Sequence, residues 1–204
     1  MSTDTSQNQS AGSADHLNDC LGSTTAQIVL YIANRPVLSS AMHRGGVFSA
    51  AELISLNGNH WRKILTIFAK LASPDGDWRA YRDHALLHQR EAICFSGKLV
   101  ESATIHLVAG KASWAHLGLD MEESQRIKEF QPLKESQLIK ESQPIKELQP
   151  IKESQPKKEF QPLDAEQRVW ISGNIICTPY FDYRQCPNAL IGIVQQRIHK
   201  LIDA

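Results

Sequence analysis

Apolar and polar positions along this chain follow two different periods, and the places where one gives way to the other mark its elements. Gln27 to Ala33 (QIVLYIA) is an unbroken apolar run of strand length. It stops at Asn34-Arg35-Pro36, because proline has no amide hydrogen to extend a ladder. Residues 59–72 change to a helical period: Trp61, Ile64, Leu65, Phe68 and Leu71 fall on one face and Pro74 follows the end. Asp77 is placed to cap a second helix, with Trp78, Tyr81 and Ala85 on one side. Ala92 to Ser96 and Thr104 to Ala109 are further strands, and Gly110 opens a short helix through Trp114 to Leu117.

Toward the C-terminus, Val169 to Ser172 and Ile175 to Thr178 make either a hairpin about Gly173-Asn174 or an irregular approach to one last strand. Asn188 caps the terminal helix, whose broad apolar face carries Leu190, Ile191, Val194, Ile198, Leu201 and Ile202. His199 and Lys200 complement its dipole. Apolar strands separated by amphipathic helices predict an α/β fold, a three-layer sandwich with a mostly parallel central sheet.

A third period interrupts this pattern. Residues 121–168 read as eight six-residue units, from MEESQR through IKEFQP and IKESQP to LDAEQR. Pro132, Pro144, Pro150, Pro156 and Pro162 remove backbone donors too often for a long helix or a central strand. The expectation is a disordered, low-complexity insertion with polyproline-like character, tolerated because loop lengthening costs little. Its functional alternative is a docking strip for a partner. With a disordered tail over residues 1–25, the chain divides into that tail, one discontinuous α/β domain (26–120 and 169–204) and the repeat insertion (121–168).

Composition narrows the function classes. Among 204 residues, 22 Lys and Arg balance 22 Asp and Glu, so no global field draws the chain to nucleic acid or anionic lipid. The two core pieces alone carry 13 basic and 9 acidic residues, which allows a mildly basic face. No apolar run reaches the roughly 20 residues that span a bilayer. The first 25 residues have neither the basic start nor the apolar centre of a secretory signal, which predicts a cytoplasmic protein in a compartment where disulfides do not persist. Cys94 and Cys177, in the runs ICF and IIC, are expected to be small core hydrophobes; Cys186, beside Pro187 in a polar loop, is the thiol to test for reactivity.

In an open parallel sheet, ligands bind beyond the carboxyl ends of the strands. The polar residues there are Asn34 and Arg35 after the first strand, Gly110 and Lys111 after the Thr104 strand, and Tyr180, Asp182, Tyr183 and Arg184 after the last. Arg35, Lys111 and Arg184 offer anion affinity, while Tyr180, Phe181 and Tyr183 offer rings to stack on a planar ligand. Gly110-Lys111 is not a Walker-type loop, since Ile105 replaces the upstream glycine and Ala112 stands where a Ser or Thr would bind magnesium. No cofactor motif is present. His84 and His88 are spaced like metal ligands but lack a third, so no metal site is expected, and His106 reads as a core residue.

The stretches YIANRP (31–36) and TPYFDYRQ (178–185) resemble a family of small bacterial proteins with no assigned function. The order of elements also looks like the uracil-DNA glycosylase fold: a strand into a Pro-containing turn, a strand into Gly-Lys (LVAGKASWAHLGL), and a last strand into a Pro-aromatic loop. That resemblance implies a water-positioning acid or amide in the first loop, which Asn34 approximates, and a histidine in the last loop, where Tyr180 stands. The leading expectation is therefore a domain that binds a small anionic or nucleotide-like ligand at its loop edge. The alternatives are a glycosylase-like nucleic-acid-processing protein and an interaction protein acting through its repeats.

Overall fold

The computed structural model describes residues 19–43, 48–119 and 159–203. The strands are β1 (Cys20–Gly22), β2 (Ile28–Tyr31), β3 (Glu91–Cys94), β4 (Ile105–Ala109), β5 (Gln161–Pro162), β6 (Trp170–Ser172) and β7 (Ile175–Thr178). The helices are α1 (Ser40–His43), α2 (Ala50–Ala72), α3 (Trp78–His84), α4 (Lys111–His116) and α5 (Asn188–Ile202). The strands form one mixed sheet in the order β1-β3-β2-β4-β7-β6-β5.

Its centre is parallel: β3, β2, β4 and β7 run together. Both margins are antiparallel, with β1 on β3 and the β5-β6-β7 meander on the other side. The expected parallel sheet is thus confined to the four central strands. Their sequences explain this, because each is apolar on both sides and needs two covers. One face, with Ile28, Leu30, Ile93, Leu107 and Ile176, packs on Ile64, Leu65 and Phe68 of α2 and Leu190, Val194 and Ile198 of α5. The other face, with Val29, Tyr31, Val108 and Cys177, is covered by Leu119, Phe160 and the partly buried Trp114, from α4 and the segments beside it.

The helix expected over residues 59–72 is the second half of α2. Ser49 caps the first half by accepting from the Glu52 amide, and Gly58, at φ 69° and ψ −154°, breaks the helical path between the halves. Just before the break, Asn57 holds Val37 through both backbone groups, accepting from its N–H at 2.7 Å and donating to its carbonyl at 2.8 Å. This fixes the segment that follows β2. Asp77 caps α3 through the Ala80 amide as its position predicts. Asn188 does not cap α5: Pro187 occupies the cap position, and Asn188 accepts a hydrogen bond from Lys70 at 2.8 Å, tying α5 to α2.

The hairpin about Gly173-Asn174 forms, joining β6 to β7. Residues 159–168, assigned from the sequence to the repeat insertion, belong to the fold: Phe160 is buried, β5 pairs with β6, and Asp164 holds the amides of Arg168 and Val169. The remaining repeats fall in 120–158 and most of the expected tail in 1–18, both outside the described residues; the rest of that tail, 19–25, carries β1 and belongs to the fold.

Two thiol expectations are corrected. Cys94 is buried as expected, but it is bonded to Cys20, its direct cross-strand partner in the β1-β3 ladder, rather than serving as a simple core hydrophobe, against the expectation that no disulfide persists. A three-residue strand gives too little sequence pattern to anticipate that pairing. Cys186 is buried beside the helical layer, and burial pushes its thiol up to about 11, which makes it a poor nucleophile. No described helix is long and apolar enough to cross a membrane.

Candidate functional site

The chain leaves β2 toward one margin of the sheet, reaching β3 through α2 and α3, and leaves β4 toward the other, reaching β7. Adjacent loops that depart in opposite directions open a crevice at the carboxyl ends of those strands. Gly110 sits at its base with φ 84° and ψ 150°, and its amide donates to the Thr178 carbonyl at 2.9 Å. The Tyr180 ring lies directly over it: a Cβ at position 110 would come within 3.0 Å of the ring. The glycine permits both the turn and the close approach.

Tyr180 joins three elements. Its hydroxyl oxygen lies 2.6 Å from Nε2 of His60 on α2, and Asn34 Nδ2 donates to it at 3.4 Å from the loop after β2. Burial raises the Tyr180 pKa; the Asn34 hydrogen bond opposes that rise and the Asp182 charge adds to it. The hydroxyl therefore stays protonated at neutral pH and serves as a neutral donor or acceptor.

The cleft at this crevice has a volume of about 1060 Å³ and is lined by Asn34, Lys111 and Tyr180, together with Trp114, Trp170 and Arg168. The indole N–H groups are committed, Trp114 to the Val108 carbonyl at 3.0 Å and Trp170 to the Gln167 carbonyl at 2.9 Å. Arg168 pairs with Asp164 and Glu166, each at 3.1 Å. Desolvation resists ionisation of Asp164, but bonds from Val169 and Arg168 hold its carboxyl below the usual range. Lys111, at the start of α4, has no carboxylate partner among the described residues.

The side chains nominated from the sequence for ligand binding therefore divide. Asn34, Lys111 and Tyr180 share this cleft. Arg35 turns away from it, ion-paired with Asp19 and stacked over the Phe95 ring at 5.1 Å. Asp182, Tyr183 and Arg184 stand outside the lining. Asp182 accepts from Lys63 at 2.6 Å and from the Arg184 amide at 3.0 Å, and these partners hold its pKa low. Lys63 also lies 5.8 Å over the Tyr183 ring, so this group fastens the loop after β7 to α2.

His60 was not foreseen, since its relation to Tyr180 spans 120 positions and nothing in Asn59-His60-Trp61 announces it. Trp114 was legible only as part of the short helix after Gly110, and Trp170 only as part of the strand Val169 to Ser172. His84 ends α3, His88 bonds the Phe48 carbonyl, and no group of three metal-ligating side chains occurs among the described residues. His106 is buried against the Tyr31 hydroxyl, with Nδ1 2.9 Å away; burial pushes the Tyr31 phenol up to about 12.

No curated protein and no solved structure matches the chain. A family model does match, over residues 19–147 and 128–199, two spans that overlap within the repeats and take in every described strand. The chain belongs to that family, described as a family of unknown function (DUF6942).

Proposed function

We propose that the chain binds a small anionic or nucleotide-like ligand in the cleft between the loops following β2, β4 and β7. The observation that carries this reading is the convergence of Asn34, Lys111 and Tyr180, from three separate strand ends, on one cleft with aromatic walls. Lys111 supplies the attraction for an anion, and the partly exposed rings of Trp114 and Tyr180 suit a planar ring. Asn34 and the Tyr180 hydroxyl add neutral hydrogen-bonding groups at the mouth. The volume matches the upper end of small-molecule sites, roughly 300–1000 Å³.

Titration with adenosine mono- and diphosphate tests it. Lys111→Ala and Tyr180→Ala should each weaken binding about tenfold or more, with the melting temperature of Lys111→Ala nearly unchanged. Equal binding by the parent and both variants would discard the site.

One observation favours a second reading, a nucleic-acid-processing protein of the glycosylase type. His60 brings an imidazole to the loop after β7, where the sequence itself offers Tyr180. Uracil-containing single-stranded DNA incubated with purified protein should then acquire abasic sites, lost in His60→Ala; intact DNA at high protein concentration ends this reading.

A further inference from the structure

We propose that a second cleft beside the first is a site for a phosphate-class anion, closed by an internal carboxylate that the Cys20–Cys94 disulfide holds in place. This cleft, of about 610 Å³, shares Ala33 and Ala112 with the first but is otherwise separate. Among the described residues, its lining carries three basic side chains, Arg35, Lys98 and His116, and one acid, Asp19.

Asp19 is the occupant that a ligand would replace. Its carboxylate pairs with the Arg35 guanidinium, which the Phe95 ring supports from one side at 5.1 Å. Arg35 remains 58% exposed on its side chain, so the pair is reachable from solvent. A guanidinium propped on a ring and facing an oxyanion is the arrangement that recognises phosphate through two parallel hydrogen bonds.

What positions Asp19 is covalent. It immediately precedes Cys20, and its carbonyl accepts from the Phe95 amide at 3.1 Å. Cys20 is bonded to Cys94, the residue before Phe95. Apart from this bond, β1 is a three-residue strand at the edge of the sheet, paired among the described residues with β3 alone and too short to hold its place firmly. A dithiol reductant, attacking the half-buried Cys20 sulfur, would break the S–S bond. Its two thiols supply two electrons and two protons, closing to their own disulfide as Cys20 and Cys94 become thiols. Asp19 then loses its anchor, and the Arg35 guanidinium is open to an incoming anion.

The test is a titration of the full chain with inorganic phosphate, followed by NMR. Asp19→Asn, which leaves the disulfide untouched, should tighten phosphate binding at least about threefold, the scale of an exposed ion pair. Adding Arg35→Ala should erase that gain. Reduction by dithiothreitol, or Cys20→Ser in a chain shown by thermal melting to be folded, should produce a gain of similar size. Lys111→Ala, which reports on the first cleft, should leave it intact.

Unchanged affinity in Asp19→Asn, or a gain that survives Arg35→Ala, overturns the anion site. Four alkylatable thiols in protein purified under air, or a gain in Asp19→Asn that reduction does not reproduce, overturns the lock. A gain abolished by Lys111→Ala would show that phosphate binds in the first cleft instead.

Discussion

Glu91, fully buried at the head of β3, accepts the hydroxyl proton of Tyr81 on one carboxyl oxygen, while its other oxygen accepts the Leu87 amide at 3.3 Å. An ionisable residue thus opens the second strand of the parallel core, satisfied from α3 and from a turn residue held at φ 67°. Glu91→Ala removes both acceptors at once and should lower stability by about 1–3 kcal/mol, read by denaturant unfolding.

The same carboxyl predicts a pH dependence. Burial raises the Glu91 pKa, against the hydrogen bonds from Tyr81 and Leu87. The folded state therefore keeps a proton that the unfolded chain has already released. The resulting stability is fully present below the unfolded glutamate value, about 4.3, and is lost as pH rises through the raised folded value. Asp83, Asp164 and Asp182, whose pKa values are lowered, act in the opposite sense. The difference in unfolding free energy between the parent and Glu91→Gln isolates the effect, and that difference should shift in favour of Glu91→Gln as pH rises from 4 to 7. A difference independent of pH would contradict it.

Gly110→Ala should strain the turn, because φ 84° disfavours any side chain and the new methyl meets the Tyr180 ring at 3.0 Å. The expected cost is about 1–3 kcal/mol, together with displacement of Tyr180 from His60. Ligand affinity in the first cleft should fall with it, which separates this variant from a purely destabilising change elsewhere in the core.

The Cys20–Cys94 bond closes a loop with a sequence separation of 74 residues. Its removal by Cys20→Ser should cost about 2–4 kcal/mol, measured as a lowered denaturation midpoint, and reduced parent protein should match the variant.

Deletion of residues 127–156, five whole six-residue units, should leave the melting temperature within about 2 °C of the parent. The fold is anchored on both sides of this stretch, at Leu119 and Phe160, which are buried in the same cluster. Extending the deletion through residue 162 also removes Phe160 and β5, and should destabilise the protein measurably.

The parts of the fold legible in the sequence are those where a long enough run carries one period. β2, the second half of α2, α3 and β4 announce themselves by apolar spacing or by Asp77, while Gly173-Asn174 left the β6-β7 hairpin as one of two readings. The first half of α2 was hidden because Gly58 interrupts the pattern, and β1 because three residues hold no period at all. The site divides for a different reason. Strand ends place Asn34, Lys111 and Tyr180 together wherever the sheet is parallel, so they follow from topology. Whether a charged residue faces a ligand or a neighbouring side chain depends on partners remote in sequence: Asp19 claims Arg35, and Lys63 claims Asp182. Glu91 was not foreseen, since the strand read from the sequence begins one residue later, at Ala92.

Ala33 and Ala112 line both clefts, and neither side chain extends beyond a methyl group. A bulkier residue at either position would alter two linings at once. Were both clefts occupied, any change that one occupant made in the other's affinity would be returned in equal measure.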